Sequence, residues 1–278
     1  MKKILYSILI FLLILLNFST VCADDVDNEV DFEDTIEVTA SNVSELPKTN
    51  SRRYIVYDRI SKSMIIGKNE DIKSAMASTT KIMTTIVILE KADLNETVTV
   101  SAKAGGTGGS RLGLKRGDKA SVRDLLYGLM LRSGNDAAVA LAEHVGGSVK
   151  GFAELMNEKA IELGLTNTHF VTPHGLDDAN HYTTALELAK LTDYAMDNET
   201  FAKIVGTKST TIYINNQSRQ INNTNELLGV LNGVVGVKTG FTNNAGRCLV
   251  TETKRNNMDI ITIVLGADTK KDRTKDSV

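Results

Sequence analysis

The globular part of this 278-residue chain is bracketed by β-patterned sequence, and that order limits its fold more than any other feature. Tyr54 to Asp58 and Ser63 to Gly67 read as an opening hairpin, and Val234 to Thr239, Arg247 to Glu252 and Asp259 to Gly266 read as closing strands. Helical periodicity occupies Thr79 to Lys91, Ser121 to Leu131, Asp136 to Val145, Gly151 to Leu163 and Thr183 to Asp197. A further hairpin is expected at Ser209 to Ile214 and Arg219 to Asn222. Early strands, central helices and late strands imply one α+β unit in which both ends of the chain contribute to an antiparallel sheet.

Three short polar motifs punctuate this pattern. The first, Ala77-Ser78-Thr79-Thr80-Lys81, heads the apolar positions Ile82, Met83, Ile86, Val87 and Leu89 of an expected amphipathic helix. Residues three apart share a helix face, so a hydroxyl and an amine lie side by side at the positive end of the helix dipole. That pairing suits an activated serine nucleophile, Ser78, with Lys81 as its base. The second, Ser133-Gly134-Asn135, sits in a tight turn between two helices, the first of which opens on the capping sequence Ser121-Val122-Arg123-Asp124. The third, Lys238-Thr239-Gly240, closes a β-branched stretch. Ideal alternation puts Lys238 and Gly240 on one face and Thr239 on the other, so local twist is needed for both polar side chains to meet one ligand. Each motif alone also has an ordinary structural reading: helix caps at Ser78 and Asn135, and a lysine guarding an edge strand.

Together and in this order, Ser78-x-x-Lys81, Ser133-x-Asn135 and Lys238-Thr239-Gly240 form the motif set of penicillin-binding proteins and class A β-lactamases. The chain resembles the low-molecular-mass penicillin-binding proteins that act as serine-type D-alanyl-D-alanine carboxypeptidases. The likeness extends over roughly Arg53 to Lys270, including Met76 to Glu90, Leu131 to Gly147, Asn167 to Leu191 and Gly236 to Gly246. It implies a β-lactamase/transpeptidase-like fold with its active site between sheet and helices. It also implies Ser78, Lys81 and Ser133 as catalytic residues, and Asn135, Lys238, Thr239, Gly240 and Phe241 as substrate-binding residues. The oxyanion hole would map to the backbone N–H groups of Ser78 and Phe241. The implied substrate is a peptidoglycan stem ending in D-Ala-D-Ala, with β-lactams as covalent inhibitors and no cofactor. Many relatives continue into a small β-rich domain and an amphipathic membrane helix. Here Lys270 to Val278 reads as a charged end with neither, so no C-terminal membrane anchor is expected, and the chain is expected to stop where a last helix would cover the sheet.

Export fits that role. Lys2 and Lys3, the apolar run Ile4 to Phe18 and Val21-Cys22-Ala23 read as a secretory signal peptide, residues 1–23, and its apolar core is too short for a comfortable membrane span. A secreted protein acting at the cell wall, on the outer face of the cytoplasmic membrane, is expected. From Asp24 to Glu37 eight of fourteen residues are acidic, so 24–50 reads as a solvated linker before a peptidase domain at 51–278. Cleavage leaves 30 basic against 34 acidic residues, a net charge of −4 with no basic stripe, which argues against a nucleic-acid partner. It also leaves Cys248 as the one cysteine, expected as a small core residue.

Other chemistries fit the sequence less well. No G-x-S-x-G elbow or phosphate loop is present, and the Gly105 to Gly109 cluster reads as a mobile loop near the cleft. His169, His174, His181 and Asp177 lack an H-E-x-x-H arrangement, and Thr172-Pro173-His174-Gly175 reads as a turn, so a zinc site is not expected. A D,D-transpeptidase or endopeptidase, a β-lactamase using a carboxylate such as Glu154, and a peptidoglycan-binding protein without turnover share the three motifs and remain open alternatives.

Overall fold

A computed structural model describes residues 47–278. The expected signal peptide and most of the expected acidic linker lie outside the described residues. In chain order the elements begin with β1 (Arg53–Asp58), β2 (Ser63–Lys68), a 3-10 turn (Ala77–Thr80), α1 (Lys81–Lys91), β3 (Thr97–Thr99) and α2 (Ala102–Gly105). Next come β4 (Lys119–Ser121), α3 (Val122–Leu131), α4 (Asn135–Gly146), α5 (Val149–Glu162), α6 (Ala185–Met196) and α7 (Glu199–Val205). The chain closes with β5 (Ser209–Ile214), β6 (Gln217–Asn222), β7 (Val234–Thr242), β8 (Gly246–Arg255), β9 (Met258–Ala267) and α8 (Lys270–Lys275).

The main sheet is antiparallel with order β2-β1-β9-β8-β7, so the first and last strands are neighbours, with Tyr54 opposite Val264. The α+β expectation is met. Strand β9 lies inside the sheet, and its run Ile260-Ile261-Thr262-Ile263-Val264-Leu265 is apolar almost without interruption because residues on both faces are covered. Asn256 and Asn257 turn β8 into β9, and Asn215 and Asn216 turn β5 into β6. All four have φ between 51° and 61°, the two-residue hairpin geometry that asparagine tolerates.

Helix α1 differs from its sequence reading. Lys81 to Ile88 are all buried, so it is a core helix rather than an amphipathic surface one. Its surroundings explain this: α3, α4, α5, α6 and α7 all pack against it. Ser121 caps α3 as expected, its Oγ accepting from the Asp124 N–H at 3.0 Å.

The C-terminal end corrects a second expectation. Residues 270–275 form α8, capped by Thr269 and packed on β8 and β9, with Arg273 and Thr274 buried. The segment is charged, but Arg273 and Thr274 are buried and Lys270 is largely covered in a pair with Glu226, a division that a count of charges does not reveal.

Candidate active site

Strand β7 is a sheet edge, hydrogen-bonded to β8 alone among the described strands, and its other side lies against the 3-10 turn at the head of α1. The approach is close because residue 240 is glycine. A Cβ there would stand 3.0 Å from the Ser78 backbone nitrogen and 3.1 Å from Ala77 Cβ. On the turn, Ala77, Thr79 and Thr80 are buried and Ser78 is half-buried, so the serine hydroxyl is the part of the turn a ligand can reach. The turn is held rigidly: Thr79 Oγ1 donates to the Met76 carbonyl at 2.6 Å and Thr80 Oγ1 to the Ala77 carbonyl at 2.8 Å.

Lys81 is fully buried, with its ammonium nitrogen 2.8 Å from Ser78 Oγ, 2.8 Å from Asn135 Oδ1 and 3.0 Å from the His174 carbonyl. Burial pushes its pKa well below the usual lysine range, and the Lys238 charge lowers it further, against a smaller opposing effect of Asp136. Lys81 Nζ faces three acceptors, Ser78 Oγ, Asn135 Oδ1 and the His174 carbonyl, and loss of the proton directed at Ser78 leaves its lone pair facing that hydroxyl.

Ser133 and Asn135 enter from the junction of α3 and α4. Ser133 takes φ +57°, a left-handed conformation that β-branched or bulky residues avoid, and both side chains are largely buried in the cleft wall. Asn135 opens α4 but does not cap it; Gly134 takes that position. Its side chain bridges instead, Oδ1 to Lys81 and Nδ2 to the Gly108 carbonyl at 2.8 Å. Gly109 and Ser110 line the cleft, placing the glycine cluster at its rim.

Thr239, Gly240, Phe241 and Thr242 all line the cleft. Thr239 Oγ1 lies 2.8 Å from Thr224 Oγ1. Lys238 is outside this lining: it is 1% exposed, buried behind the wall, and donates to the Thr239 carbonyl at 2.9 Å. The alternation read from sequence thus places Thr239 and Lys238 differently, and Lys238 meets the site through its charge on Lys81.

Several groups the sequence reading passed over shape the site. The buried Asp136 carboxylate accepts from the N–H groups of Leu112, Gly113 and Leu114 at 2.8–2.9 Å, pinning the 110–114 segment beside the cleft. Arg273, from α8, contributes to the cleft wall and pairs with Glu226 at 3.3 Å. An aspartate opening a helix was the one visible signal for Asp136; nothing local pointed to Arg273.

The histidines are accounted for by packing. Val171 N–H donates to His181 Nδ1 at 2.9 Å, so Nε2 carries the proton and donates to Thr80 Oγ1 at 2.8 Å. Burial lowers the His181 pKa to about 4. His174 is likewise lowered to about 3, by burial first and then by the Lys81 charge. Thr172 to Gly175 forms the expected turn, with Gly175 N–H donating to Thr172 Oγ1 at 3.1 Å. Gly175 has φ +85°, and a Cβ there would sit 1.9 Å from the Ala77 carbonyl oxygen. Glu154 lies on the exposed face of α5, not among the residues lining the cleft, and Cys248 is buried in the core with its thiol pushed up to about 11.

Comparison with known proteins places this arrangement. The family described as D-alanyl-D-alanine carboxypeptidase matches residues 39–269. The D-alanyl-D-alanine carboxypeptidase DacF of Bacillus subtilis is 38% identical over 225 residues, covering 79% of this chain and 58% of its own length. DacC of Escherichia coli is 39% identical over 262 residues, covering 86% and 62%. The solved D,D-transpeptidase of Streptomyces K15 is similar with a TM-score of 0.79 and 35% identity, over 83% of this chain and 95% of that one. The chain spans about three fifths of the length of the first two relatives.

Proposed function

This chain belongs to the D-alanyl-D-alanine carboxypeptidase family, and from that premise we propose that it removes the terminal D-alanine from peptidoglycan stems through an acyl-enzyme on Ser78. The observation that carries the reading is the buried Lys81 amine 2.8 Å from Ser78 Oγ, with its N–H groups engaged by Asn135 and His174.

Lys81 takes the Ser78 proton as Oγ bonds to the penultimate D-alanine carbonyl carbon. The oxyanion that forms is held by the backbone N–H groups of Ser78 and Phe241, which the close packing of Gly240 against the turn brings near each other. The C–N bond then breaks, Ser133 passes a proton to the departing D-alanine amine, and water later cleaves the Ser78 ester. Asn135 presents its amide to the substrate backbone. Thr239, Arg273 and the buried Lys238 charge form the cationic end that receives the terminal carboxylate. β-Lactams acylate the same serine, and the substrate implies action outside the cytoplasmic membrane, in keeping with the expected signal peptide.

The test is D-alanine release from a synthetic peptide ending in D-Ala-D-Ala. Release is expected from the wild type and abolished in Ser78→Ala and by a β-lactam; release that persists in Ser78→Ala rejects the assignment. The Streptomyces K15 neighbour, described as a D,D-transpeptidase, supports a second outcome: adding an amine acceptor would divert the acyl group into a new peptide.

A further inference from the structure

The cleft lining carries two arginines, Arg132 and Arg273, and one carboxylate, Asp177, which has no part in the chemistry above. Leu176 and Thr242 line the cleft with it. Among the described residues Asp177 is the one acidic side chain lining the cleft. It is fixed there: Thr242 Oγ1 donates to Asp177 Oδ1 at 2.6 Å and Asn244 N–H donates to Oδ2 at 3.3 Å. A carboxylate offers about four acceptor positions, so two remain for a ligand.

Strand spacing shows what reaches it. Thr239 and Thr242 are three residues apart on β7, about 10 Å, with Gly240 and the Ser78 nitrogen between them. An extended peptide laid along β7 with its scissile carbonyl at Ser78 and its terminal carboxylate at Thr239 has its next residue on the amino side beside Phe241 and Thr242. Leu176, 38% exposed, flanks that position with apolar surface suited to the methylenes of a long side chain, and Phe241, 39% exposed, flanks it with the Arg247 guanidinium 4.3 Å from its ring centroid.

Resting on the carboxypeptidase reading, we infer that Asp177 is a specificity-determining residue that selects substrates carrying a free side-chain ammonium on the residue before D-Ala-D-Ala. The site therefore takes a doubly charged ligand, carboxylate at one end and ammonium at the other.

Two peptides test this: Nα-acetyl-Lys-D-Ala-D-Ala with its side-chain amine free, and the same peptide with that amine acetylated. Each competes with a fluorescent penicillin for labelling of Ser78, which reads affinity without requiring turnover. The free-amine peptide is expected to compete roughly two- to fivefold better, the range of a partly exposed ion pair. In Asp177→Asn, whose oxygen can still accept from the Asn244 N–H and whose amide can donate to Thr242 Oγ1 but which loses the charge, the ratio is expected to fall to one. Equal competition in the wild type, no competition by either peptide, or an unchanged ratio in Asp177→Asn overturns the inference. A parallel loss for both peptides would reduce Asp177 to a clasp between the 172–180 loop and the β7–β8 turn. Competition without D-alanine release would instead reject the carboxypeptidase reading and leave the ammonium preference standing.

Discussion

At the scale of single residues, the proposed mechanism depends on Lys81, whose surroundings lower its pKa. Burial is the larger cause of the lowered Lys81 pKa and the Lys238 charge the second, which gives Lys238 a role separable from substrate binding. Replacing it in Lys238→Met removes a like charge, so Lys81 holds its proton to higher pH. The acid limb of the pH profile for β-lactam acylation should therefore move upward, as followed by stopped-flow labelling. An unmoved limb with only a slower plateau would show that Lys238 acts through binding alone. Carboxylate capture makes a complementary prediction for Arg273: Arg273→Ala should raise the KM for D-Ala-D-Ala peptides at least tenfold and change kcat less, because the lost contact is made equally in ground and transition states.

At the scale of elements, the turn that carries Ser78 is held by a loop about a hundred residues away in sequence. Gly175 packs on the Ala77 carbonyl, and His181 reaches Thr80 Oγ1, which in turn donates to the same carbonyl. Gly175→Ala adds a methyl group where there is no room and strains a positive-φ position. It should lower stability by about 2 kcal/mol or more and slow Ser78 acylation at least tenfold, measured by thermal melting and penicillin labelling. Much of this level was readable in advance. Ser78 and Lys81 were legible as a pair because helical geometry couples residues three apart, and the strand–helix–strand order announced the sheet. The contacts of His181 were not, because they depend on how a distant loop folds back.

The whole molecule is tied together by Arg59, whose guanidinium meets Asp193 and Asp197 of the α6 region, Glu252 of β8 and Asp259 of β9. Glu252 is fully buried, so Arg59→Ala leaves it Lys254, at 3.2 Å, as its remaining cationic partner and should cost about 3 kcal/mol in urea denaturation. The pH dependence of stability follows from two opposed sets of groups. His174 and His181 have folded pKa values of about 3 and 4, below their ordinary 6.5, so the unfolded chain binds more protons and stability falls as pH drops below 6.5. His181 alone contributes a loss of about 3 kcal/mol by pH 4. Glu252 works the other way: burial, then the neighbouring Asp259 carboxyl, raise it to about 7, so the folded state gains protons between 7 and 4.5 and stability rises as pH falls there. His181→Gln should flatten the acid loss of stability and Glu252→Gln should steepen it, measured as urea midpoints from pH 7.5 to 4.5.

The helical and strand patterns, the antiparallel sheet shared by early and late strands, and the three motifs with their order were legible in the sequence. These rest on periodicity, turn chemistry and short spacings, all of which act within a few residues. Only the tertiary structure decided that α1 is a core helix, that 270–275 folds onto the sheet, that Lys238 lies behind the cleft wall, and that Asp136, Arg273, His181 and Asp177 belong around the site. Those outcomes depend on burial and on contacts between residues tens to more than a hundred positions apart. Burial sets the pKa values and close packing sets the distances, and neither exists until the chain has folded.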